Sequence, residues 1–192
     1  MAASARATAP ADERLWLQRA VFVLVRPGQV LSGLRDDSDA AARARSEAVL
    51  ALVLLSGIAS VLWTPVAGRL MDVKGAHAED GLEVAIWAFL GGGMYGVAFF
   101  FAGGFVLYVL TRIVGGVTYR QSRQLLAFAA APIALSLLAV WPVRLAVYGE
   151  DVFRSGGSDR GAGNAAFFVV ELAFVAWSLA LLAIGLRALF RR

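Results

Sequence analysis

Four apolar runs long enough to cross a bilayer punctuate the chain, divided by short polar connectors. A hydrocarbon core of ~30 Å takes ~20 residues of helix rising 1.5 Å per residue. The first run extends from about Ala48 to Ala67, carries no charge, and ends near Trp63 and Pro65. Trp63 suits the headgroup layer, and Pro65 helps to stop the helix. Ser38 or Asp39 is expected to cap a helix that begins in AAARARSE and continues into the bilayer. The second run, about Val84 to Val114, has charges only beside its ends, at Glu83 and Arg112. At helical rise it measures roughly 45 Å, and no polar turn divides it, so one tilted or protruding helix is predicted. Gly91, Gly92 and Gly93 offer a place for a kink. The third run, about Gln124 to Tyr148, contains Pro132 and Pro142, which lipid-embedded helices tolerate when neighbours satisfy the freed carbonyls. The fourth, about Ala165 to Phe190, contains Glu171.

Ahead of the spans, DERLWLQRAVFVLVRP places polar residues at 12, 13, 14, 18 and 19 before a nearly continuous apolar stretch. It is too short and too charged to span. An interfacial amphipathic helix with Trp16 and Phe22 in the lipid fits it, the alternative being a helix packed on the bundle. The organisation is therefore a cytoplasmic segment, 1–46, and a transmembrane helical domain, 47–192. The fold class is all-α: a polytopic membrane bundle of about four transmembrane helices with an N-terminal interfacial helix. No secretory signal is visible, because the apolar stretch after Leu15 is broken by Gln18 and Arg19 and lacks a small-residue cleavage site.

Composition agrees with lipid as the solvent. Hydrophobic residues form 59% of the chain, above the roughly 45–50% of soluble domains. Cysteine is absent, which excludes disulfides, thiolate metal sites and a cysteine nucleophile. The net charge of +4 comes almost wholly from arginine, with Lys74 the one lysine. These arginines flank apolar runs and form no stripe with interleaved aromatics, so anionic lipid headgroups, not nucleic acid, are the expected partner.

The arginines also orient the chain. Seven precede the first span: Arg6, Arg14, Arg19, Arg26, Arg35, Arg43 and Arg45. The second loop holds Arg112, Arg120 and Arg123, and the tail holds Arg187, Arg191 and Arg192, both without acids. The other side has only Arg69, Lys74, Arg144, Arg154 and Arg160. An even number of spans then puts both termini in the cytoplasm.

Three features are candidates for function. Glu171 is the one acid well inside a span, and an intramembrane carboxylate calls for a partner. Arg144 stands at a similar depth on the antiparallel third span and offers a forked donor. The pair reads as a structural ion pair, as two snorkelling groups, or as a proton or substrate site. The ladder Ala88, Gly92, Gly96, with Gly103 seven residues on, lets helices approach closely, either within one bundle or along a homodimer seam. The basic loop of Arg112, Arg120 and Arg123 would face cytoplasmic partners. Phe99, Phe100 and Phe101 face lipid or core.

Catalytic patterns are missing. His77 is the single histidine and stands in an outer connector with no second histidine. Neither HExxH nor GxSxG occurs, and GGSDRGAG lacks the Gly-Lys-Ser/Thr of a phosphate loop. No cofactor and no enzyme activity is expected. No internal repeat suggests an inverted-repeat transporter.

The order of several short motifs resembles the Yip family (Ypt/Rab-interacting proteins), in its bacterial branch. The carrying residues are Arg26-Pro27 after the amphipathic helix, then Gly115-Gly116 at the end of the second span. Thr118-Tyr119-Arg120-Gln121-Ser122 and the step Ala130-Ala131-Pro132 follow. The resemblance covers roughly Trp16 to Val147. It implies an all-helical membrane domain without known catalysis. Eukaryotic members act in vesicle traffic and bind small GTPases. This chain lacks their Asp-Leu-Tyr-Gly-Pro motif and has four spans where five are usual, so GTPase binding is not carried over. The expected role is that of a membrane protein binding or organising protein or lipid partners. The alternative is a small transporter, channel or lipid-moving protein that uses Glu171 and Arg144, within a homo-oligomer.

Overall fold

The computed structural model describes residues 18, 20–64, 67, 81–113, 115–154, 156 and 161–190. Trp16, Pro65, Lys74 and His77 lie outside them. All the secondary structure described is helical. Helical turns over 20–25 lead into a short helix α1 (Pro27–Ser32), with Pro27 in its first turn and Arg26 before it, and on into a 3-10 turn (Gly33–Arg35). The long elements are α2 (Asp39–Leu62), α3 (Gly81–Arg112), α4 (Tyr119–Ala129), α5 (Ala131–Ala139), α6 (Trp141–Tyr148) and α7 (Ala162–Phe190). They make four candidate membrane spans, with α4 to α6 together forming the third. The chain is a multi-pass membrane protein.

Local chemistry sets the boundaries. Of the two candidate caps for the first span, Ser38 takes the position: its Oγ accepts from the Ala41 N–H at 3.3 Å. Asp39 then sits in the first turn, where the helix dipole favours an anion. The third span begins at Tyr119, five residues before the expected start. The reason is a reciprocal cap: the Gln121 N–H donates to Thr118 Oγ1, and Gln121 Oε1 accepts from the Thr118 N–H. Prolines interrupt this span twice. Pro132 and Pro142 stand in the first turns of α5 and α6, and the breaks fall at Ala130 and Val140. Each proline removes a backbone donor and crowds the preceding turn. By contrast α3 runs unbroken through Gly91, Gly92 and Gly93.

The core sits where α1, α2, α4, α5 and α7 converge, with Leu31, Leu52, Leu125 and Phe128 fully or nearly fully buried. Leu182, Leu186 and Leu189 of α7 close it from one side. Val23 belongs to this core, whereas Val21, Phe22 and Val25 are exposed, so the turns before α1 present an apolar outer face. Helix α7 buries a single stripe, Glu171, Ser178, Leu181 and Gly185. A second, smaller cluster at the opposite end holds Trp141, Val152 and Phe153, and Trp63 packs against it.

Candidate functional site at the basic end

The stretch leading into α2 reads LRDDSD, which sets three carboxylates close together, and like charges so placed repel. The structure supplies partners from the second loop. Arg120 Nη1 donates to Asp39 Oδ1 at 2.7 Å and also lies 3.8 Å, through Nε, from Asp37 Oδ1. Thr118 Oγ1 donates to Asp37 Oδ2 at 2.8 Å, and Gln121 Nε2 donates to the Leu34 carbonyl at 3.0 Å. Arg45, buried within α2, donates to the carbonyls of Gly33 (2.6 Å) and Asp36 (2.7 Å). Arg35 Nε donates to the Ala188 carbonyl, in the last turn of α7, at 2.7 Å. The Ser38 N–H, and after it the Ser38 hydroxyl, holds the Asp36 carboxyl below its ordinary pKa. Exposed ion pairs contribute little alone. Here, however, hydrogen bonds join three separate stretches: the segment before the first span, the second loop, and the end of the last span.

The basic loop read from the sequence is thus not one free patch. Arg120 is tied to Asp37 and Asp39. Arg112 donates to the Tyr108 hydroxyl one turn back, at 3.0 Å, and remains exposed. Arg123 turns inward, with its guanidinium 4.5 Å from the centroid of Tyr119 and 5.0 and 5.3 Å from those of Phe101 and Phe100. Of the three aromatic positions, Phe100 and Phe101 border Arg123, while Phe99 and Phe101 are both exposed. Gly104 makes this possible, since a Cβ there would collide with the Arg123 side chain.

The other candidates fall elsewhere. Arg144 Nη1 lies 3.2 Å from Glu171 Oε1, both side chains largely buried, with the Arg144 guanidinium also near the rings of Trp141 and Phe167. The two meet across α6 and α7 as the antiparallel geometry requires. Ala88, Gly92 and Gly96 are buried, the two glycines against α2. A Cβ on Gly92 would strike Ile58, and one on Gly96 would strike the Val53 carbonyl. Gly103 instead faces Leu126. Of the motif glycines, Gly116 has φ +73°, a left-handed conformation that glycine adopts without cost, and Gly115 abuts the Phe190 ring.

Sequence reasoning missed three contributors. Gly57 is the α2 half of the close approach, and its signal was a glycine in an otherwise charge-free span. Asp37 and Asp39 were not matched to the second loop, because nothing local shows which arginine crosses 81 residues to meet them. The Thr118–Gln121 capping box was visible as Thr-x-x-Gln. Among the described residues no three His, Asp or Glu side chains gather as a metal site would need.

A family model described as the Yip1 domain matches residues 21–192. No curated protein and no solved structure matches the chain.

Proposed function

The chain belongs to the Yip1-domain family, whose members are generally non-enzymatic membrane proteins, and from that premise we propose that it binds and organises protein or lipid partners at the cytoplasmic membrane. In this reading both termini are cytoplasmic, the protein performs no catalysis and needs no cofactor, and the working surface is the basic end. The observation that carries it is the set of cross-connections from Arg35, Arg120 and Gln121. They join the N-terminal segment, the second loop and the end of α7 into one surface. A surface built from three stretches is pre-organised, which lowers the ordering cost of binding. Arg112 and Arg187 stay exposed on the helix ends beside it, available to acidic partners or anionic headgroups.

Photo-crosslinking in native membranes tests this. A crosslinker at position 112 or 187 is expected to give discrete adducts, while one at Val147, on the opposite end, gives none. Adducts absent from the basic end, or equal at both ends, would remove the reading. Accessibility labelling of the C-terminal tail tests the orientation and should find it protected in intact cells.

The buried Arg144–Glu171 contact favours a second reading, a small transporter, channel or lipid-moving protein acting as an oligomer. It requires a pH-dependent flux in proteoliposomes that Glu171→Gln abolishes. Equal flux in both proteins would end it.

A further inference from the structure

We propose that a cavity between α2, α3 and α4 is a binding site for one anionic glycerophospholipid. Its phosphodiester would meet Arg123, and an acyl chain would lie along Val49, Val53 and Val97.

The cavity has a volume of about 300 Å³, at the lower end of the ~300–1,000 Å³ of small-ligand sites. Arg120, Arg123 and Gln124 line it from α4, and the remaining wall is apolar except for Ser46. Leu50 and Val97 on its rim are 56% and 38% exposed, so it opens sideways, toward the space a bilayer fills. Gly104 meets Arg123 eight residues before the end of α3 at Arg112. Arg123 therefore stands about 12 Å along the axis from that end, within the candidate membrane span Tyr119–Phe153.

An arginine at that level calls for an anion. The nearby carboxylates do not supply one, because Asp37 and Asp39 engage Arg120, and among the described residues Arg123 forms no ion pair. Three aromatic rings lie close around its guanidinium, yet among the described residues its buried Nε donates to nothing. Gln124 is a second, independent sign. It is only 7% exposed, it lines the same cavity, and among the described residues its Oε1 accepts no hydrogen bond. A fixed guanidinium and the Gln124 amide beside an apolar slot complement phosphate oxygens and an acyl chain respectively. A free phosphate would leave the slot unfilled. A neutral zwitterionic lipid would bring its own cation beside Arg123.

The proposal rests on the membrane-partner reading only in naming a lipid as one partner. Purified full-length protein in detergent is titrated with phosphatidylglycerol or phosphatidylcholine, and bound lipid is counted by native mass spectrometry. Phosphatidylglycerol is expected to bind about fivefold tighter, the preference one arginine provides near an anionic headgroup. Arg123→Gln abolishes that preference, and Arg123→Lys keeps part of it. Val97→Trp, a rim change that leaves the polar wall intact, lowers occupancy by both lipids. Glycerol phosphate alone does not compete. Equal binding of the two lipids by the unaltered chain, full phosphatidylglycerol preference in Arg123→Gln, or undiminished occupancy in Val97→Trp overturns the proposal. So does effective competition by glycerol phosphate, which would mean an anion site without a lipid slot. If these arms fail while crosslinks persist at position 112, the lipid site falls and the partner surface stands.

Discussion

The second and third spans have nearly the same apolar character, yet α3 is 11% buried over its most apolar window and α4–α6 is 50% buried. Helix α3 is a peripheral rod. Its buried positions are small, Ala88, Gly92, Gly96, Gly104 and Thr111, while Trp87, Phe89, Leu90 and Met94 point outward. The third span is the opposite case, broken by two prolines and embedded over α4 and much of α5, with Leu125 and Phe128 fully buried. In water, large apolar residues mark the core. In lipid that rule loses its force, because acyl chains are as apolar as leucine, and association follows from close packing instead. The small residues therefore mark the buried face of α3. The unbroken form of α3 fits too: it has one neighbour face to satisfy, whereas the third span must bend among several.

If this contrast is right, substitution on α3 should be extreme in both directions. Gly96→Leu forces a side chain into the Val53 backbone carbonyl, which cannot rotate away. A loss above ~3 kcal/mol is expected, beyond the ~1–3 kcal/mol of ordinary overpacking. Met94→Ala, two residues earlier on the exposed face, should change stability by less than ~0.5 kcal/mol. Unfolding of the purified protein in mixed detergent and SDS reads both. Comparable losses in the two variants would break the comparison.

The third span sharpens it. Phe128→Ala empties a site with no lipid access. In a soluble core this costs ~3–5 kcal/mol, part of it the transfer of the ring out of water. In a bilayer the transfer part is largely absent, so the expected loss is ~2 kcal/mol, by the same SDS titration. A loss as large as in soluble proteins would show that the unfolded chain exposes this ring to water.

Legibility followed the same physics. Four spans could be read because hydrocarbon thickness imposes length and apolarity on each. The ladder Ala88, Gly92, Gly96 was legible because small residues at four-residue spacing leave one flat face. Glu171 and Arg144 could be paired because a short connector fixes their helices antiparallel. What could not be read was set by distant partners. Arg120 looked like part of an exposed basic loop, since its matching carboxylates, Asp37 and Asp39, lie on a segment that shares no local pattern with it. Arg123 looked the same as Arg120 by spacing, and only the void left by Gly104 sends it inward. The third span began early because a capping box, not hydropathy, sets its start.

The cap gives a smaller test that separates the two ends of that span. Thr118→Ala removes the hydrogen bond to the Gln121 N–H and the one to Asp37. A loss of ~1 kcal/mol is expected, accompanied by faster hydrogen exchange at the first amides of α4 and none at α5.

The smallest effect concerns Asp36, next to the residues that Thr118 and Arg120 hold. Its carboxylate accepts from the Ser38 N–H at 3.0 Å, which lowers its pKa in the folded chain. A folded pKa below the unfolded value of about 4 contributes stability that is present above that value and fades as pH falls through the folded one. Thermal melts of the parent should therefore lose a small increment in Tm on acidification below about pH 4, and Asp36→Asn should not show it. The residue is exposed, so the increment is small. Because it acts on the segment leading into α2 and not on the buried span, the loss should appear in the exchange of the amides at 38–41 while those around Phe128 stay protected. Acid exposure that instead opened α4 and α5 first would mean that the bent span, not the stapled end, is the weaker part of the bundle.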